Sequence, residues 1–145
     1  MRDGDRTVVV TTYLERPPEV VFDFIADPAN DARWCPTVSE PRIEAMDEAG
    51  LGVYRFVQHL GPLRHGETAK IVESVRPTRL RWQFTTVGSD VEATIELRPE
   101  GTGTRLIQTN RISRVGRLRW PIQRRIAERE LPRQHAALKA VLEDA

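Results

Sequence analysis

Residues 17–34 read PPEVVFDFIADPANDARW. They begin as a helix: proline suits the first helical turn, and Glu19 sits at the positive end of the helix dipole. Val20, Val21, Phe24 and Ile25 recur at helical spacing. Asp27-Pro28 ends that helix, because a residue before proline avoids the α region. Asn30 or Asp31 is placed to cap a second short helix through Arg33 and Trp34, and Cys35-Pro36 closes it. Two short helices follow one another near the start of the sequence, and the second ends on a tryptophan.

Outward from this stretch, β-branched and aromatic residues predict strands. Upstream, Thr7 to Leu14 (TVVVTTYL) is the first. Downstream, six segments are separated by turn residues: Val38–Met46, Val53–Leu60, His65–Val75, Leu80–Val87, Val91–Arg98 and Thr104–Ser113. Leu80, Trp82 and Phe84 alternate with Arg81, Gln83 and Thr85, which predicts an antiparallel sheet with one wet face. A long helix is expected from Trp120 to Glu143, with Pro121 in its first turn. Its apolar residues fall in two phases, Leu118, Ile122 and Ile126 against Leu131, Leu138, Val141 and Leu142. A kink at Pro132 would bring the two together. The order is strand, two short helices, six strands, one long helix. A curved seven-stranded antiparallel sheet gripping a long helix, an α+β helix-grip fold, buries both apolar faces and leaves a pocket where the helix does not fill the concavity.

With 145 residues, 39% hydrophobic and 30% charged, the chain reads as one globular domain over 1–145. No apolar run is long enough to span a bilayer. The opening residues MRDGDRTVVV lack the apolar core of a secretory signal, so a cytoplasmic location is expected. Cys35 is the one cysteine, which excludes an internal disulfide and a cysteine-rich zinc site. A net charge of +1 gives no global pull toward nucleic acid. From Arg98 to Arg133 there are ten arginines and three glutamates, which reads first as a solvated face with local ion pairs. It also suits an anionic membrane, an acyl-carrier protein or RNA.

The element order, together with RPPEVVFDFIADPANDARWCP, GVYRFVQHLGPLRHGETAKIVE, VRPTRLRWQF, GTGTRLIQT and LKAVLE, resembles the START/Bet v 1-like superfamily, in particular its polyketide cyclase/dehydrase and lipid-transport branch. The resemblance covers essentially the whole chain. It implies a deep, mostly apolar cavity between sheet and long helix, with the two short helices at its entrance. In aromatase/cyclase members a tryptophan in a motif like RWCP lies at the cavity, and the resemblance carries that role to Trp34. The alternative is that Trp34 packs its short helix onto the sheet. Cyclase members also keep a cavity glutamine in the last strand, which corresponds to Gln108 in LIQT. Their pocket arginine and serine have no counterpart in GETAKIVES (66–74).

From the residues themselves, Gln108 and Asn110 share a strand face with Leu106 and Ile112 if that strand has no bulge. Two amides on such a face need partners, and a ligand carbonyl or an ordered water would serve. The other register puts Ile107 inside. Tyr54, Phe56 and Gln58 alternate with Arg55, Val57 and His59, so either face can turn inward; hydrophobicity favours Tyr54 and Phe56, and the other register brings Arg55 inside. The expected ligand-binding set is Trp34, Tyr54, Phe56, Trp82, Phe84, Gln108, Asn110 and Leu138. Gln108, Asn110, Arg55 and Tyr54 are the candidates for polarising a substrate carbonyl. His59 and His65 flank the Gly61-Pro62 turn and are expected to face each other across it, on the solvent side. Glu73 is expected to point to water, and Cys35 to be buried and inert. No metal site and no cofactor are expected. Three functions fit. The first is a module binding a small polyketide- or lipid-like molecule. The second is an aromatase/cyclase or dehydratase acting on a poly-β-keto chain. The third is a protein-interaction module on the same fold. An acyl-carrier protein or a second copy of the chain are the protein partners considered, with neither nucleic acid nor stable membrane insertion expected.

Overall fold

The computed structural model describes residues 6–86 and 88–144. Seven strands form one sheet: β1 (Thr7–Leu14), β2 (Val38–Met46), β3 (Gly52–Leu60), β4 (Leu63–Val75), β5 (Arg79–Thr86), β6 (Ser89–Glu100) and β7 (Gly103–Ser113). Three α-helices accompany them, α1 (Pro18–Ala26), α2 (Asp31–Trp34) and α3 (Trp120–Glu143). The spatial order is β1-β7-β6-β5-β4-β3-β2, and every neighbouring pair is antiparallel. The chain therefore runs β2 to β7 as a continuous meander, and β1 closes onto β7. This is the α+β helix-grip arrangement. Val87, the expected last residue of the fifth strand, lies outside the described residues.

The opening stretch folds as its residues dictate, with one correction. Pro18 occupies the first turn of α1, and Pro17 O accepts from the amides of Val20 and Val21. Val21, Phe22 and Ile25 are buried, each contributing roughly 1.5–3 kcal/mol by leaving water. Asp27-Pro28 stops the helix, and Asp27 Oδ1 accepts from Ala29 N at 3.0 Å. A 3-10 turn, Pro28–Asn30, then runs directly into α2. Neither Asn30 nor Asp31 caps α2 with its side chain. Asn30 is already helical, and its Nδ2 donates back to Phe24 O at 3.0 Å, satisfying a carbonyl at the end of α1. The Asp31 carboxyl is buried instead.

The helix α3 spans the expected residues, but its two apolar stripes do not merge. Leu118, Ile122 and Ile126 remain 91%, 62% and 39% exposed. The buried stripe is Gln123, Leu131, His135, Leu138 and Leu142. Its second half follows the apolar stripe expected from the sequence, Leu131, Leu138 and Leu142, while Gln123 and His135 are polar members that apolar periodicity does not mark. The start of α3 is fixed by Arg6, whose buried guanidinium donates to Val115 O and lies over the Trp120 ring.

The core lies on the concave face. Leu80 and Trp82 of β5, Ala93, Ile95 and Leu97 of β6, and Leu106 of β7 pack with α1 and with Leu138 and Leu142 of α3. A smaller cluster of Val91, Ile112 and Val115 sits under the start of α3. The outer face carries an ion-pair array, with Arg81 reaching Glu73 at 3.3 Å and Arg79 reaching Glu96 at 2.8 Å. Glu73 thus points outward. A bulge between Ile71 and Glu73 sets Glu73 opposite Arg81 and Val75 opposite Arg79.

Candidate functional site

A cavity of about 840 Å³ opens between the concave face of the sheet and α3. Alternation places its floor: Tyr54 and Phe56 from β3, Trp82 and Phe84 from β5, Ala93 from β6, and Gln108 and Asn110 from β7 all face it. Trp34 and Cys35 line it from the end of α2, and Gln123, Ile126 and Leu131 from α3. Of the residues singled out in the sequence, Leu138 is the exception on the helix. It is fully buried in the core cluster and does not reach the cavity. Arg55 lies on the outer face with Glu44 at 3.6 Å, since it alternates with Tyr54 and Phe56. It is therefore removed from any role in the cavity.

The last strand has no bulge, so Leu106, Gln108, Asn110 and Ile112 are all buried on the inner face and Ile107 is outside. The two amides are bonded to each other, Gln108 Nε2 donating to Asn110 Oδ1 at 3.0 Å. Gln108 Oε1 lies 2.7 Å from His135 Nε2, and His135 Nδ1 lies 2.7 Å from Thr12 Oγ1. Burial lowers the His135 pKa to about 4, so its ring is neutral near neutral pH. His135 itself does not line the cavity. The sequence offered one signal for it, a polar residue in phase with Leu131, Leu138 and Leu142.

A second polar group stands on the opposite wall. Asp31 is buried and lines the cavity, and desolvation pushes its pKa up to about 7, partly offset by a hydrogen bond with Tyr54. Desolvation, with the neighbouring Asp31, also holds the Tyr54 hydroxyl in its protonated form. Trp34 Nε1 lies near the same carboxyl without completing a hydrogen bond of normal geometry. Burial and the Asp31 charge push the Cys35 thiol upward, away from thiolate chemistry. Glu67, on β4 and outside the lining of this cavity, has its pKa raised to about 7 by burial against a hydrogen bond from Thr86. Asp31 was not legible as a site residue, because in sequence it reads as a cap for its short helix.

His59 and His65 do not face each other. His65 is opposite Gln58 and His59 opposite Arg64, a one-residue offset set by the tight β3–β4 turn. The His59 ring bonds Ser39 Oγ at 2.6 Å. Among the described residues no three His, Cys, Asp or Glu side chains converge as a metal site. Among the same residues no helix is long and apolar enough to cross a membrane.

Over residues 5–143 the sequence matches the family described as polyketide cyclase / dehydrase and lipid transport. The chain belongs to this family. Solved structures share its fold. A START superfamily protein from Mycobacterium smegmatis superposes with a TM-score of 0.82 at 15% identity, covering 95% of this chain and 97% of that one. The Zhui aromatase/cyclase from Streptomyces sp. R1128 superposes at 0.71 with 16% identity, covering 95% and 92%. The protein Ara h 8.0201 superposes at 0.74 with 11% identity, covering 96% and 98%. At these identities the likeness is one of fold. No curated protein matches the chain in sequence.

Proposed function

We propose that this family member binds a small, mainly apolar molecule, polyketide- or lipid-like, in the cavity between sheet and α3. The observation that carries the reading is a cavity of about 840 Å³ floored by aromatic rings with two buried amides set among them. Pockets for small organic ligands have this composition, an apolar wall with a few placed polar groups. An open cavity favours ligand binding over a purely protein-docking role, for which a filled interior would suffice. A cytoplasmic location, and an acyl-carrier protein or a second copy as partner, belong to the same proposal.

One observation favours a second reading, a cyclase or dehydratase. Asp31 is a cavity carboxyl with a pKa of about 7, bonded to Tyr54, and such a group can accept and return a proton during enolisation and water loss. The amides of β7 would orient the chain being folded. Arg55 supplies no cation here, since it faces solvent.

The test is titration with an apolar fluorescent dye on the wild-type protein and on Ala93→Leu. Ala93 lies on the cavity floor between Trp82 and Asn110. Filling the floor should weaken dye binding about tenfold while the fold persists, as expected when added methylenes occupy ligand space. Wild-type protein that ignores the dye would refute the pocket. Mass spectrometry of co-purifying molecules would then separate an acyl lipid from a flat aromatic polyketide.

A further inference from the structure

The polar end of the cavity has a direction. Gln108 Oε1 faces His135 Nε2 at 2.7 Å, and a carbonyl oxygen only accepts, so Nε2 carries the ring's hydrogen. The neutral ring then accepts at Nδ1 from the Thr12 hydroxyl, 2.7 Å away. Gln108 passes the same polarity on, donating from Nε2 to Asn110 Oδ1 at 3.0 Å. The four groups bond with one consistent polarity, the Thr12 hydroxyl to His135, His135 to Gln108 and Gln108 to Asn110. The row ends on Asn110, which lines the cavity and whose Nδ2 hydrogens no described residue accepts. Beside it Ala93 has a short side chain that leaves room for a ligand atom.

We propose that this end of the cavity is a carbonyl-oxygen site: His135 positions Gln108, Gln108 positions Asn110, and Asn110 donates from Nδ2 to a ketone or ester oxygen of the ligand. This rests on the cavity being a ligand site and names the chemistry that it selects. His135 is a positioning residue, because it touches Gln108 and not the cavity. Without it the Gln108 amide is free to turn over. Turned over, the row would present Asn110 Oδ1 to the cavity and select an N–H or O–H donor instead. A buried amide held in one orientation rejects a ligand of the wrong polarity more strongly than an apolar wall does.

Three tricyclic probes of one shape read this directly by dye displacement: fluorenone, which only accepts, carbazole, which only donates, and fluorene, which does neither. Fluorenone is expected to bind about tenfold more tightly than fluorene, the effect of one net hydrogen bond, and carbazole no better than fluorene. Asn110→Leu should remove the fluorenone advantage while fluorene binding persists. His135→Leu should remove the selectivity of fluorenone over carbazole, which loss of packing alone would not do. Thr12→Val tests the same row without touching Gln108, and should narrow the same ratio. A preference for carbazole, or equal binding of all three, would overturn the inference and leave the pocket standing. Binding of none of them would overturn both.

Discussion

At the residue scale, two buried groups are held uncharged and respond to pH in opposite directions. Asp31 has its pKa raised to about 7 from an ordinary 3.8. The folded chain keeps that proton longer than the unfolded chain does. Its contribution is therefore full below about pH 4 and is lost as pH rises toward 7. His135 is lowered to about 4 from 6.5. The unfolded chain takes up a proton there that the folded chain refuses. Its contribution is full above about 6.5 and is lost as pH falls toward 4. Between those limits the two slopes oppose, each at most about 1.4 kcal/mol per pH unit. Asp31→Asn should therefore gain on wild type, by on the order of 2 kcal/mol, between about pH 4.5 and 7. Urea midpoints across that range would show it, and a difference that stays flat would contradict it. In the sequence, Gln108 and Asn110 were legible because strict alternation carries a side chain inward wherever a strand is regular. Asp31 was not, since nothing local says that a short helix will turn its first carboxylate against a tyrosine on a strand over twenty residues later.

At the element scale, α3 combines a legible extent with an illegible face. Its ends follow from Pro121 and the run of helix formers. Its buried stripe passes through the polar Gln123 and His135, and over the first half Ile122 and Ile126 border the cavity without being buried. Leu118 and Ile122 stand exposed, and Leu118→Ser should change stability by less than about 0.5 kcal/mol. Pro132 lies inside the helix and on its solvent side. It supplies no amide for the carbonyl four residues back. Pro132→Ala should stabilise the protein by about 1 kcal/mol or more, as denaturant unfolding would measure. The strands were legible because seven alternating segments between clear turns admit few arrangements. The offset of His59 from His65 was not, because hairpin register depends on where a tight turn begins.

At the scale of the whole molecule, the sheet is open, with β1 and β2 at its two edges, and an edge strand is a template for another chain. The two edges are closed by different means. Along β1 the end of α3 does the work: Lys139 Nζ donates to Tyr13 O at 3.2 Å, and Glu143 Oε2 accepts from Glu15 N at 3.0 Å. Along β2 the backbone itself is broken. Its pairing with β3 slips twice, and Glu40 takes a φ of 53° just before Pro41, which has no amide to offer. Pro41→Val should restore a donor on that edge and increase self-association, visible as light scattering that grows with protein concentration. Unchanged scattering would place the protection in the bulges alone. A grip fold has to stay open along its rim to admit a guest, and it cannot close into a barrel to hide its edges. An irregular β2 would let such a chain stay unsealed without its copies zipping together strand to strand, and that is what Pro41→Val puts to the test.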